Sequence, residues 1–340
     1  MARPLSLLDL TYITAGSTSG ATVQRSVRIA QLAEQLGYTR VWYAEHHNTR
    51  GLASGAPEIM IAHVATQTST IRLGSGGVML PNQAPLKVAE TFHLLRAMYG
   101  DRIDLGLGRA PGTDTKTALA LRRNPDALHA DDYPQNVLEL LAYDEQGFPE
   151  GHYFEHIVAT PSDQSLPPVW LLGSSGFSGQ FAAQIGVGFS FAAHINKPLA
   201  IDVMNSYREH FTPSGRFEAP HAILAVGTII GETEERAREL ALIHRVGMYR
   251  LLTGAMQPAP TLAEAREIAE TIPPQFQLQL DSMQANQFIG TAADVATRVK
   301  ALADECQADE VMFTCTIGAE SDLEHALREM KSAWDTVDIL

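Results

Sequence analysis

Short apolar runs alternate with longer amphipathic stretches along most of the chain. The short runs are typical of buried parallel strands, and the amphipathic stretches are typical of the helices that connect such strands. The predicted strands span residues 5–13, 38–44, 71–79, 102–107, 169–172, 187–193, 221–230 and 310–314. The main helices predicted between and after them span residues 22–37, 56–68, 85–99, 131–143, 178–185, 198–211 and 320–334.

Eight strand and helix units predict an α/β protein with a single (β/α)8 TIM barrel over residues 1–340. A doubly wound sheet also alternates strands with helices, but the count of eight favours the closed barrel. Four further helices, at 233–252, 262–271, 274–285 and 292–305, predict a helical insertion late in the barrel. Residues 109–130 read as an irregular functional loop, and residues 153–160 as a short hairpin arm.

Polar or glycine-rich groups follow four of the predicted strands. These groups are Glu45-His46-His47, Gly76-Gly77, Gly108-Arg109 and Gly173-Ser174-Ser175-Gly176. The carboxyl ends of parallel strands meet at one face of a barrel, and active sites are built at that face. We therefore expect these residues to surround one ligand site.

The composition of the chain argues against nucleic acid and membrane as binding partners. The net charge of −14 argues against a nucleic-acid partner, because few basic residues cluster anywhere in the chain. No apolar run is long enough for a membrane span, and the amino-terminal residues do not resemble a signal peptide. Cys306 and Cys315 have no metal-ligand spacing and fit packing roles in a reduced, cytoplasmic interior.

Two glycine-rich turns are candidates for phosphate binding. The run from Gly106 to Gly112 lacks the helix start that a dinucleotide fingerprint needs, but Arg109 within it is free to bind an anion. Gly173, Ser174 and Ser175 lead directly from a strand into a helix, so that amide and hydroxyl groups converge at a positive helix end. The alternative is that these serines only cap the helix.

The adjacent histidines raise the question of a metal. Neighbouring residues of an extended chain point to opposite sides, so His46 and His47 are poorly placed to share one zinc ion, and no third ligand has a telling spacing. We therefore predict no metal site. One histidine suits an acid, base or hydrogen-bonding role, while its neighbour packs structurally.

The runs 41–47, 72–81 and 100–109 together resemble the bacterial luciferase-like flavin monooxygenases, in the same order and spacing over nearly the whole chain. The resemblance implies a TIM barrel that binds FMN, or in one branch coenzyme F420, at its carboxyl-terminal mouth. It implies a catalytic role for His46, with His47 as its neighbour. It also implies a non-prolyl cis peptide at Gly76-Gly77 under the flavin ring, and phosphate binding by Arg109 and the Gly173-Ser174-Ser175 turn.

The implied function is a monooxygenase that uses dioxygen and reduced FMN, supplied by a separate flavin reductase, to oxidise a small organic substrate. A homodimer is also implied by the resemblance. Gly108 and Ser174 stand where the luciferase α-subunit has a cysteine and a glutamate, so light emission is not expected. The alternatives are an F420- or flavin-dependent hydride-transfer reductase on the same barrel, and a flavin-binding protein without turnover.

Overall fold

Parallel strands form a closed barrel in the computed structural model, which describes residues 3–110, 112–126, 132–144, 147–314 and 318–337. The strands are β1 (Leu5–Asp9), β2 (Arg40–Tyr43), β3 (Arg72–Ser75), β4 (Val78–Met79), β5 (Ile103–Gly108), β6 (Val169–Gly173), β7 (Gly188–Ala192), β8 (Ala222–Ile230), β9 (Gln287–Gly290) and β10 (Glu310–Thr314). The barrel order is β1-β2-β3-β5-β6-β7-β8-β10, and β10 pairs back with β1. The predicted (β/α)8 TIM barrel is confirmed.

Helices surround the barrel. They are α1 (Ser19–Gln35), α2 (Pro57–Ala65), α3 (Pro85–Tyr99), α4 (Thr115–Arg122), α5 (Tyr133–Ala142), α6 (Gly176–Ile185), α7 (Ala193–Asn196), α8 (Ala200–Glu209), α9 (Glu234–Leu252), α10 (Leu262–Thr271), α11 (Gln277–Ala285), α12 (Ala292–Glu305) and α13 (Glu320–Val337). Their apolar faces pack against the outer side of the strands, as a two-layer barrel requires.

The late insertion lies between β8 and β10, where it was predicted, but it is not wholly helical. Strand β9 lies between α11 and α12 and pairs in parallel with the end of β8, with Gly227 opposite Gln287. The strand has only four residues and follows a helix directly. Such a short segment carries too little periodicity to be recognised from sequence.

Two predictions for connecting segments were wrong. Residues 115–122 form α4, because the side chain of Asp114 accepts hydrogen bonds from the backbone N–H groups of Lys116 and Thr117 and caps the helix. Residues 153–160 form successive turns and no hairpin. Their backbone bonds are local, such as Ile157 N–H to the Phe154 carbonyl at 2.9 Å, so no partner strand is needed.

Some sequence predictions fall on residues outside the described ranges. These residues include Pro111 and residues 127–130 of the predicted loop, Asp131 at the start of the predicted helix 131–143, and Cys315, which follows β10 in the sequence. Cys306 is described, and it is a buried free thiol at the end of α12. It therefore has the packing role expected of it.

An ion-pair network closes the amino-terminal end of the barrel. Arg40 donates to both carboxylate oxygens of Glu310 at 2.8 Å and to Asp104 Oδ2 at 2.8 Å. All three side chains are almost fully buried, and the guanidinium also faces the rings of Trp42 and Trp170. A paired, hydrogen-bonded network is the form in which buried charge is tolerated. The open end of the barrel is consequently the opposite, carboxyl-terminal one.

None of the helices in the described part of the chain combines the length and apolarity needed to cross a lipid bilayer.

Candidate active site

A cavity of about 530 Å³ lies at the carboxyl-terminal end of the barrel. Seven of the eight predicted site residues line it: His46, Gly76, Gly77, Arg109, Gly173, Ser174 and Ser175. His47 is not among the lining residues. The strand ends therefore bring together most of what the sequence placed there, as expected for a parallel barrel.

His46 is a neutral imidazole at the wall of the cavity. Its backbone N–H donates to the Ser54 carbonyl at 3.3 Å, and its side chain makes no hydrogen bond to the described residues. Burial is the largest cause, and together with the neighbouring His47 and His194 it lowers the pKa of His46 to about 4. A neutral ring without a protein partner can accept or donate a hydrogen bond to a bound molecule.

His47 points away from the cavity and pairs with a buried carboxylate. Its Nε2 lies 2.8 Å from Glu45 Oε1, and the Glu45 side chain is only 1 % exposed. The other Glu45 oxygen accepts the Met79 N–H at 2.9 Å, while the Glu45 N–H donates to the Gly77 carbonyl at 3.3 Å. Glu45 thus fastens the end of β2 to the backbone of Gly77 and Met79, which follow the break after β3. His47 supports this carboxylate and does not line the cavity.

The floor of the cavity includes a cis peptide bond between Gly76 and Gly77, which divides the predicted third strand into β3 and β4. A Cβ atom on Gly77 would lie 2.7 Å from the Gly106 carbonyl oxygen, and one on Gly76 would lie 2.7 Å from Leu8 Cδ1. The Gly106 backbone excludes a side chain at Gly77, and a side chain at Gly76 would have to displace the end of Leu8. The result is a flat backbone surface that a planar ring could approach.

The turn from Gly173 to Ser175 leads into the amino terminus of α6. Ser175 is the N-cap residue, yet its side chain makes no capping bond, so the first-turn N–H groups lack a side-chain cap. Asn196 Nδ2 donates to the Ser174 carbonyl at 3.0 Å and fixes the turn. Uncapped N–H groups at a positive helix end are suited to an anion.

Arg109 stands beside this helix end. Its guanidinium carbon lies 4.4 Å from the centre of the Phe177 ring, which belongs to the first turn of α6. No carboxylate of the described residues forms an ion pair with it. Its charge is therefore available to the same anion that the α6 N–H groups would bind.

Two further histidines line the cavity. His194, which the sequence placed at the end of the sixth strand, donates from Nδ1 to the Ala225 carbonyl at 3.3 Å. Its Nε2 therefore carries the lone pair in the neutral ring. Burial lowers the pKa of His194, and burial lowers the pKa of His244 to about 4.

His244 and Tyr12 are two titratable lining residues that were not among the predicted site residues. His244 lies on α9, a helix assigned only to the insertion, and Tyr12 follows β1. Burial raises the pKa of the Tyr12 phenol to about 12, so it remains protonated at neutral pH. The sequence feature that could have placed His244 at the cavity is its spacing from Met248 and Leu251, which puts all three on one helix face. That spacing also fits ordinary core packing.

No group of three or more histidine, cysteine, aspartate or glutamate side chains that could hold a metal ion is found within the described ranges.

Comparison with known proteins identifies the family. The family model for luciferase-like monooxygenases matches residues 4–308. A luciferase-like monooxygenase of Escherichia coli strain K12 is 38 % identical over 335 residues, which are 98 % of this chain and 97 % of that protein. The N-acetyl-S-alkylcysteine monooxygenase of Bacillus subtilis strain 168 is 36 % identical over 243 residues, which are 69 % of this chain and 70 % of that protein.

Solved structures agree with the sequence relatives. The crystal structure of apo-MsnO8 superposes with a TM-score of 0.88 at 33 % identity and covers 98 % of both chains. The oxygenating constituent of 3,6-diketocamphane monooxygenase, from a plasmid of Pseudomonas putida and in complex with FMN, shares the fold with a TM-score of 0.69 at 17 % identity and covers 99 % of both chains. The chain belongs to the luciferase-like monooxygenase family of oxidoreductases.

Proposed function

We propose that this protein is an FMN-dependent monooxygenase that uses dioxygen and reduced FMN to oxidise a small organic substrate. The observation that carries the proposal is one cavity that joins an anion cradle, a flat glycine floor and the neutral imidazole of His46. A flavin mononucleotide has a matching phosphate at one end and a planar ring at the other. Reduced FMN, when bound, supplies the electrons that activate dioxygen.

The residues of the cradle fit a phosphate. Arg109 and the first-turn N–H groups of α6 would hold its oxygens, with the Ser174 and Ser175 hydroxyl groups beside them. Gly76 and Gly77 would lie against the flavin ring, because neither residue has a side chain that would keep the ring away from the backbone. Each part of the cofactor would thus meet groups of matching shape and charge.

His46 would act on the reacting groups directly. Its ring is neutral at pH 7, so it can hydrogen-bond the oxygen that is transferred or move a proton at that atom. The barrel interior, lined here by Leu8, Trp42 and Met312, would exclude water from the reaction. Glu45 and His47 would act by fixing the Gly77 backbone, without touching the substrate.

FMN is favoured over F420 on charge. F420 carries an acidic polyglutamate tail, whereas Arg109 is the one charged residue of the described cavity lining at neutral pH. A single phosphate matches a single arginine better than a chain of carboxylates does. An F420- or flavin-dependent hydride-transfer reductase remains the alternative enzyme. A flavin-binding protein without turnover remains the non-catalytic alternative.

Flavin titration and single-turnover assays test the proposal. FMN and F420 are titrated separately into the purified protein, and we expect saturable binding of FMN only. The protein with FMN reduced by a separate flavin reductase is then mixed with ¹⁸O₂ and a panel of small organic molecules, including thioethers, since one relative is named for an S-alkylcysteine substrate. A product that contains ¹⁸O supports a monooxygenase. Substrate reduction without oxygen supports the reductase, and FMN binding with no product supports the binding protein.

A homodimer and a cytoplasmic location complete the proposal. Exposed apolar side chains lie on α2, α3 and α5, which pack side by side: Ile59 is 66 % exposed, Leu94 52 %, Met98 55 % and Leu138 50 %. Apolar residues on adjacent helices suit burial against a second copy of the chain. The required supply of reduced flavin is consistent with the cytoplasm.

Light scattering at micromolar concentration should give the mass of two chains. Met98→Glu should shift the mass toward one chain, because a buried unpaired carboxylate opposes association. Glu substitution of the exposed Leu278, on the distant α11, serves as the control and should leave the dimer intact. A monomeric wild-type protein would contradict the dimer.

A further inference from the structure

We propose that the part of the cavity walled by α9 and α11 is the substrate subsite, and that it selects uncharged, largely apolar organic molecules over organic anions. The inference rests on the proposed function, because it assigns Arg109 to the cofactor phosphate and leaves the remaining wall to the substrate.

The wall is built by the late insertion. His244, Met248 and Leu251 occupy positions i, i+4 and i+7 of α9 and therefore share one helix face, which lines the cavity. Met283 of α11 lines the same region. Leu251 is 50 % exposed and Ile195, which also lines the cavity, is 61 % exposed, so aliphatic groups lie at the rim of the cavity. A flexible thioether and aliphatic surface favours apolar ligands.

The wall carries no charge to balance an anion. Apart from Arg109, every described lining residue is uncharged at neutral pH, since burial keeps His46, His194 and His244 neutral. Two basic residues that neighbour wall residues in the sequence, Arg245 and Lys197, are engaged elsewhere. Arg245 binds Asp281 at 2.8 Å, and Lys197 donates to the Ala285 carbonyl.

His244 supplies a hydrogen-bonding group without a protein partner. Its ring makes no hydrogen bond to the described residues, and its Nδ1 is buried. The neighbouring amides are used within the protein: Gln287 Nε2 donates to the His194 carbonyl at 3.1 Å, and Asn286 Nδ2 donates to the Ile195 carbonyl at 2.8 Å. The imidazole of His244 is therefore free to bind one uncharged polar group of the substrate.

Desolvation produces the selectivity. An organic anion that binds against this wall loses its hydration without gaining a contact to a positive charge. An ester, ether, thioether or alcohol loses much less hydration free energy when it binds there. The selectivity should therefore follow the charge of the ligand when its chain length is held constant.

Displacement of a neutral fluorescent probe, 1-aminoanthracene, tests this directly. Methyl octanoate and octanoate are compared as competitors at pH 7.5, with saturating FMN to occupy the phosphate cradle. We expect the ester to bind at least tenfold more tightly than the anion. Met248→Lys places a cation in the wall and should reduce this ratio at least tenfold, while Leu278→Lys, on the exposed side of α11, should leave it unchanged.

His244→Leu separates the hydrogen bond from the apolar wall. It should weaken methyl octanoate binding three- to tenfold and leave the FMN dissociation constant within twofold of the wild-type value. Equal or tighter binding of octanoate by the wild-type protein, or an unchanged ratio in Met248→Lys, would overturn the inference.

Failure of the proposed function would look different. If FMN does not bind, the displacement assay is repeated with 100 mM inorganic phosphate in the cradle. Preference for the ester in that case would retain the subsite and reject the FMN assignment. FMN binding together with preference for octanoate would retain the cofactor and reject the subsite.

Discussion

Two adjacent histidines have different environments because consecutive side chains of an extended chain point in opposite directions. His46 faces the cavity and has no side-chain partner in the described structure, whereas His47 pairs with the buried Glu45. The identity of the residue does not separate the two roles. The direction of the side chain does, and it follows from the path of the chain after β2.

Substitution of His46 tests its proposed role. His46→Ala should keep FMN affinity within a few-fold and lower turnover by about 10² to 10⁴, the usual effect of losing a general acid or base. Product formation and reduced-flavin oxidation are measured in parallel, because peroxide release can mimic activity. His47→Ala is the matched neighbour and should act mainly on stability or flavin affinity. Normal product yield at the normal rate in the His46 variant would leave it a structural residue.

Arg109 provides the second prediction at this scale. Charge-assisted hydrogen bonds to a phosphate contribute about 1.5 to 3 kcal/mol, so Arg109→Ala should weaken FMN binding about tenfold or more. Binding is followed by quenching of flavin fluorescence at low salt, with riboflavin as the ligand that lacks the phosphate. Riboflavin affinity should change little. An equal loss for both ligands would point to the Phe177 contact and not to phosphate recognition.

At the scale of elements, the β3–β5 contact controls the shape of the floor. Ser75 Oγ donates to the Gly106 carbonyl at 2.8 Å, and the Gly106 N–H donates back to Ser75 Oγ at 3.0 Å. A Cβ atom on Gly106 would lie 2.2 Å from the Ser75 carbonyl oxygen. The two strands therefore approach so closely next to Gly76 that one methyl group cannot be accommodated.

Gly106→Ala should consequently displace the end of β3 and destabilise the fold by about 1 to 3 kcal/mol, as overpacking of a rigid core does. FMN binding should weaken in the folded fraction. Gly247→Ala is the control, because Gly247 lies within α9 with open space around its Cα; alanine there should stabilise the helix by about 0.5 to 1 kcal/mol. Urea unfolding measures both effects. Wild-type stability in Gly106→Ala would show that the strands can separate at little cost.

At the scale of the whole molecule, buried histidines make stability depend on pH. The folded pKa values of His46 and His244, about 4, lie below the unfolded value of about 6.5. The unfolded chain therefore binds more protons between these values, and stability falls as the pH falls from about 6.5 to 4. Each histidine contributes up to about 1.4 kcal/mol per pH unit in this window.

Urea unfolding at pH 7.5, 5.5 and 4.5 should reveal this dependence. The double variant His46→Gln and His244→Gln should show a shallower loss, while His210→Gln, at an exposed position, should keep the wild-type slope. Glu34 contributes at lower pH. Although burial alone would raise its pKa, hydrogen bonds from the Thr70, Ile71 and Ser69 N–H groups lower it to about 2, so its stabilisation is lost as the pH falls below about 4.5. Equal slopes in wild type and double variant would contradict neutral burial of the two histidines.

The sequence by itself determined the barrel and much of the candidate site. Apolar runs separated by amphipathic stretches fix strands and helices locally, and the carboxyl ends of parallel strands must converge. The sequence alone therefore places His46, Gly76, Gly77, Arg109 and the Gly173–Ser175 turn at one mouth of the barrel. The missed strand β9 and helix α4 depend on pairing with β8 and on capping by Asp114, which four to eight residues do not reveal in the pattern alone.

Tertiary structure alone decided which polar groups face the cavity and in what state. The pairing of His47 with Glu45 depends on the path of the chain after β2, and the entry of His244 depends on how α9 packs over the barrel mouth. The lowered pKa values of His46 and His244 arise from burial by segments distant in sequence. Burial and partner choice are properties of the assembled surface, because a local run of residues does not specify what covers it.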